Sequence, residues 1–176
     1  MAIGFKPDSL PTVVGGCFIL FCDWLFFNAG SSWSLTQDKE TNLPALSMMN
    51  TIISAAGSCT AYAVYQIFKE FYNECHKNEI IQNITLKYDV ISFVGVIMSG
   101  CVSVTASCNN VDTFSAMLIG VVGAAVYESS VILLTKFQID DPLQVTQIHG
   151  FCGVWGAIAQ GLFDKDSGLF ITGRFN

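Results

Sequence analysis

Five long apolar runs separated by polar stretches set the plan of this chain: about Pro11 to Leu35, Ala45 to Phe68, Val90 to Cys108, Phe114 to Phe137 and Pro142 to Phe163. Each is near the roughly 20 residues a helix needs to cross a bilayer. Most of the charge sits between them, in Gln37 to Glu40, Lys69 to Lys87, Lys136 to Asp141 and Asp164 to Asp166. Inside hydrocarbon the backbone must satisfy its own polar groups, which leaves helices and closed barrels. Barrel strands need only about ten alternating residues, so the run lengths predict an all-α membrane protein with five transmembrane helices.

The fifth run carries a lone histidine. His149, Gly153, Gly156 and Gln160 recur at helical spacing and predict one face, while Phe151, Val154, Ile158 and Leu162 take another. Glycines let helix backbones approach, and an ionisable group at membrane depth is a functional candidate by default. A neutral imidazole donates with one nitrogen and accepts with the other, so it can pass or share a proton. Near the end of the first run, Trp24, Phe27 and Ser31 share a face. Aromatic rings hold cations and a serine hydroxyl accepts from a cationic N–H, although an interfacial aromatic belt explains the same spacing. Asp23 and Glu128 are carboxylates within apolar runs, costly there unless neutral or paired. Each is a candidate site residue or a helix-contact group, and Asp23 could serve a cation path. Gly95, Ser99, Gly100 and Ser103 of the third run are read as packing residues. Asp140-Asp141-Pro142 is read as a helix start.

Composition agrees with this reading. Apolar residues make up 52% of the 176 and charged residues 12%, about half the charged share of a soluble domain. Mean hydropathy is +0.51. The net charge of −6 resides mostly in connectors and specifies no ligand, and the 8 Lys and Arg are scattered, which excludes a nucleic-acid partner. Seven cysteines include no CxxC pair; they are expected to be small packing residues, with no disulfide framework, metal or cofactor. The N-terminal MAIGFKPDSLP lacks a basic segment before its apolar run, so no signal peptide is expected. With the N-terminus cytoplasmic, Lys6, Lys69, Lys77, Lys87 and Lys136 lie inside against Lys39, Lys165 and Arg174 outside, a mild positive-inside bias. The glycosylation sequon at Asn83 then lies in the cytoplasm and stays bare.

Several stretches resemble one family. Asp140-Asp141-Pro142 followed by His149-Gly150-Phe151-Cys152-Gly153-Val154-Trp155-Gly156 is similar to the DDP…HGxCGxWG stretch of the ammonium transporter (Amt/Mep/Rh) family. Pro7 to Pro11 resembles the start of the family's sixth helix, Phe27-Asn28-Ala29-Gly30-Ser31 its FNAGS end, and Gly95 through Gly100 to Cys108 the GxxxGxVxxTASC of its eighth.

The resemblance implies a trimer of eleven-helix subunits, each built from two inverted five-helix repeats with the working residues at their interface. This chain, residues 1–176, is then expected to correspond to the second repeat, the sixth to tenth helices, and to need the first-repeat helices to complete a pore. The implied function is transport of ammonium, ammonia and methylammonium across a lipid bilayer, with no enzymatic step and a plasma-membrane location. Phe27 matches the aromatic gate, Ser31 the outer ammonium site, Trp24 an aromatic packed on the pore histidines, and His149 one member of that histidine pair. An alternative expectation is a non-transporting ammonium sensor or regulatory half-subunit that joins full-length transporters. Asp23 replaces the family's usual glycine, Val94 replaces a frequent asparagine, and His76 is expected in a polar connector.

Overall fold

The computed structural model describes residues 9–32, 42–76 and 90–173. Among these the chain forms α1 (Leu10–Gly30), α2 (Leu43–His76), α3 (Val90–Thr105) and α4 (Thr113–Lys136). A π-helical turn (Thr146–Phe151) then runs directly into α5 (Cys152–Phe163), and a single turn, α6 (Leu169–Thr172), follows; the described residues include no strand. Local chemistry sets several starts. Ser9 caps α1, accepting from Thr12 N, with Pro11 in the first turn. Asp112 caps α4, accepting from Ser115 N at 2.9 Å. Both satisfy amides that an unpaired helix end would leave open.

Each of the five predicted runs contains a helical segment, with shifted ends. α1 stops at Gly30, before the expected Leu35, and residues 33–35 lie outside the described part, as do Lys6, Lys39, Lys77, Asn83, Lys87 and Arg174. α2 continues to His76, so the connector expected from Lys69 is helical where it begins and His76 ends a helix. The stretch from Gln66 to His76 contains no Gly or Pro, so nothing breaks the helix when it leaves the apolar zone. At 34 residues α2 is about 51 Å long, well beyond the roughly 30 Å of bilayer hydrocarbon. α3 has only 16 residues and ends at Thr105 in a series of turns. By length and composition α1 and α4 can cross a membrane, and α3 is apolar but shorter.

α3 is the central element. Gly95, Val96 and every residue from Met98 to Val104 are buried. α2 faces it with buried Ser47, Asn50, Thr51, Ser54 and Ser58. Ser54 Oγ donates to the Gly100 carbonyl at 2.8 Å and Ser58 Oγ to the Val96 carbonyl at 2.9 Å. Asn50 Nδ2 donates to the carbonyls of Cys108 and Val111 at 2.8 and 2.9 Å, tying down the turn that follows α3. Glycines allow this closeness: a Cβ on Gly57 would lie 2.6 Å from the Met117 carbonyl, and one on Gly120 would overlap that of Ser54. α1 is peripheral, held to α2 by Asn28 Nδ2 on Thr51 Oγ1 at 2.9 Å, with Phe18 and Phe26 both 69% exposed.

The predicted glycine face of the fifth span does not form as one row. The π turn closes i to i+5 and adds a residue to the turn, which breaks the α-helical phase between His149 and α5. Gly156 is buried, and a Cβ there would lie 2.7 Å from the Ser103 carbonyl, whereas Gly153 has open space around it. His149 and Gln160 are both exposed.

Candidate functional site

Three aromatic rings on two elements meet where α1 passes the π turn. The Trp24 indole lies 5.8 Å from the Phe27 ring and 5.9 Å from the His149 imidazole, centroid to centroid, tilted 52° and 35° to them. Trp24 and Phe27 are three residues apart on α1 and therefore neighbours on its surface. The indole is fixed from behind: Nε1 donates to Thr105 Oγ1 at 2.9 Å, and Thr105 Oγ1 donates to the Cys101 carbonyl at 2.8 Å. Trp24 is thus locked to the end of α3 and sets the spacing between Phe27 and His149.

Ser31 lies one turn beyond Phe27. Its hydroxyl donates to the Phe27 carbonyl at 2.8 Å, so its proton is committed and its oxygen lone pairs remain to accept. On the other side of His149 a cavity of about 500 Å³ opens between α1, α3 and the segment leading into the π turn. Cys17 and Leu20 of α1, Val94 and Met98 of α3, Gln144 and His149 are among its lining. In order along α1 the wall therefore runs Ser31, Phe27, Trp24 with His149, then the cavity.

This wall is one-sided. Phe27 is 58% exposed, His149 is exposed, and neither imidazole nitrogen has a hydrogen bond among the described residues. The pore that the resemblance implies is not closed around His149 by these helices alone. Asp23 is exposed on α1 and is not among the residues lining this cavity. Glu128 lines a separate cleft of about 300 Å³ between α2 and α4, beside Tyr62 and Tyr65.

Asp141 sets up the π turn. Its carboxylate accepts from Val145 N at 3.2 Å and Thr146 N at 2.7 Å. Burial alone pushes this carboxyl upward, but the bonds from Thr146, Val145 and Gln144 outweigh it and hold the group below its ordinary value. The predicted helix start at Pro142 is displaced: Pro142 lies in a turn, the helical segment begins near Val145, and Asp141 ties down the first amides of the turn that carries His149. The contributions of Thr105, Tyr127 and Gln144 are not apparent from sequence. Thr105 had a signal in its place within Thr105-Ala106-Ser107-Cys108, but its partner lies 81 residues away.

A family model described as the Ammonium Transporter Family matches residues 2–174. Ammonium transporter 1 member 3 of Solanum lycopersicum is 37% identical over 183 residues, covering 99% of this chain and 36% of its own length. Ammonium transporter 3 of Dictyostelium discoideum is 30% identical over 164 residues, covering 90% and 34%. Among solved structures, that of Saccharomyces cerevisiae Mep2 superposes with a TM-score of 0.76 at 27% identity, covering 96% of this chain and 37% of Mep2. The chain thus spans about a third of the length of the curated relatives it matches. Its all-helical architecture is that of the Amt/Mep membrane proteins, and with a match running through nearly every residue, this chain belongs to the ammonium transporter family.

Proposed function

We propose that the chain supplies one wall of a transmembrane path for ammonium and ammonia, and that Ser31, Phe27, Trp24 and His149 are its contact residues in that order. The reading rests on the Phe27–Trp24–His149 stack, held at fixed spacing by Thr105, between an exposed serine acceptor and an apolar cavity. An ammonium ion finds lone pairs at Ser31 and the negative faces of aromatic rings beside it, an attraction that grows as water is removed. Carrying the charge onward through an apolar passage is costly. Loss of one proton to water at the exposed Ser31 end, the N–H electron pair staying on nitrogen, leaves neutral ammonia, to which a neutral imidazole can both donate and accept. The same chemistry admits methylammonium, whose extra methyl meets a mostly apolar lining. The exposed Phe27 and His149 support a pathway completed by further helices; we take these to be the helices of a first repeat, in a trimeric assembly of the plasma membrane.

The test expresses the chain in cells lacking ammonium uptake, alone and joined behind the first five helices of the Solanum lycopersicum relative, and measures methylammonium uptake. The joined protein is expected to transport, and His149→Ala to lower uptake or alter ion selectivity at equal expression. Uptake and selectivity unchanged by His149→Ala would remove the imidazole from the path.

A further inference from the structure

We propose that Gln144 is a specificity-determining residue of this path, offering a hydrogen-bond donor that selects the neutral amine over the cation. The proposal rests on the reading above and extends it to the cavity beyond His149. Gln144 has a backbone φ of 54°, a left-handed conformation that non-glycine residues adopt at a cost and that clusters at functional sites. The conformation is held on every side. Gln144 N donates to the Asp141 carbonyl at 3.0 Å and the Gln144 carbonyl accepts from Ile148 N at 3.0 Å. Its side-chain oxygen, Oε1, accepts from the hydroxyl of Tyr127, a fully buried residue of α4. Gly95 makes room for this pair, because a Cβ there would overlap the Tyr127 hydroxyl and lie 2.9 Å from Gln144 Oε1.

Three of the four polar groups of Gln144 are therefore engaged. The fourth, the Nε2 amide with two N–H groups, has no hydrogen bond among the described residues, and Gln144 lines the cavity it shares with His149. With one lone pair of Oε1 taken by the Tyr127 hydroxyl, the unengaged capacity of the carboxamide lies mainly in its two Nε2 N–H donors. Ammonia and methylamine carry a lone pair and can accept from it; ammonium and methylammonium carry only N–H donors and would face donor against donor. Ser31 shows the opposite polarity, its proton committed to the Phe27 carbonyl. An acceptor thus stands where the cation arrives and a donor where the neutral amine leaves, with the imidazole between them.

The test uses the joined protein described above, with methylammonium uptake and potassium-carried current measured side by side. Gln144→Glu replaces the donor by a carboxylate acceptor of the same shape. Tyr127→Phe removes the group that occupies Oε1 without touching Gln144. Gln144→Glu is expected to raise cation current relative to amine uptake about tenfold or more, the scale of one charge-assisted hydrogen bond. Tyr127→Phe is expected to shift the same ratio in the same direction by a smaller factor. Both variants should unfold in detergent within the range of the parent, since a purely structural role would change stability without changing selectivity. Wild-type uptake and wild-type cation exclusion in both variants would overturn the assignment of Gln144, while the His149 result would still stand or fall separately. A joined protein without any uptake would overturn both readings.

Discussion

Replacing Gly120 by alanine asks whether α2 and α4 really meet backbone to backbone. A Cβ at this position would overlap the Ser54 carbonyl oxygen and lie 2.7 and 2.9 Å from the carbonyl carbon and Cα of the same residue. None of these atoms is a mobile side-chain tip, so α2 itself has to back away. Two hydrogen bonds then lengthen, Ser54 to the Gly100 carbonyl at 2.8 Å and Ser58 to the Val96 carbonyl at 2.9 Å. Overpacking of this kind costs about 1–3 kcal/mol, and each weakened buried bond up to about 1 kcal/mol more. Alanine returns about 0.5–1 kcal/mol through its better helix propensity. The net expectation is a loss centred near about 2 kcal/mol and reaching at most about 4, most of it from packing. Gly161→Ala is the control, because a Cβ there meets nothing within 4 Å, and it should be neutral or stabilising by about 0.5–1 kcal/mol. The assay is titration of the micellar protein with sodium dodecyl sulfate, followed by circular dichroism. If Gly120→Ala unfolds at the same detergent fraction as Gly161→Ala, or a higher one, the two helices are not in contact at this point.

Three other outcomes follow from the same geometry. Thr105→Val keeps the volume but removes the acceptor of the Trp24 indole; it should cost about 1–3 kcal/mol, shift Trp emission and lower methylammonium uptake in the joined protein, and unchanged uptake would show that the indole needs no anchor. Asp164 is buried between α5 and the α3–α4 turn, where burial pushes its carboxyl up but bonds from the Ser167 and Asp166 amides, Asn110 and the Ser167 hydroxyl together hold it below its usual value. A lowered folded-state pKa gives stability that is complete above the unfolded value of about 4 and is lost as pH falls through the folded one; the detergent midpoint of the parent should therefore fall below about pH 4, and that of Asp164→Asn should fall less. Asp23→Gly removes an exposed carboxylate that lies outside the cavity lining, so uptake should persist, and its loss at normal expression would place Asp23 in the path.

What could be read from the chain in advance follows from which forces act locally. Apolar character leaves its mark one residue at a time, so the apolar runs locate α1 to α4 and the π turn with α5, and Trp24, Phe27 and His149 stand out among the aromatic and ionisable groups within them. Contacts between helices leave a weaker mark. The small polar row of α2, Ser47, Thr51, Ser54 and Ser58, has a helical step of four, three and four residues, yet it lowers hydropathy and so looks like a poorer span when it is in fact the packing face. The π turn leaves no mark at all. The sequence Thr146 to Phe151 suits an uninterrupted α-helix, and extrapolating that period predicts a single row from His149 to Gln160. The departure is imposed from outside the segment: Asp141 occupies the first free amides, Tyr127 holds Gln144 in a left-handed conformation, and Gly156 must seat against the Ser103 carbonyl. An α-helical phase fixed at Gly156 and a cap fixed at Asp141 do not agree, and the extra residue of the π turn takes up the difference at His149. The imidazole is thus oriented by two contacts distant in sequence, which is why the sequence names the residue but not the direction in which it faces.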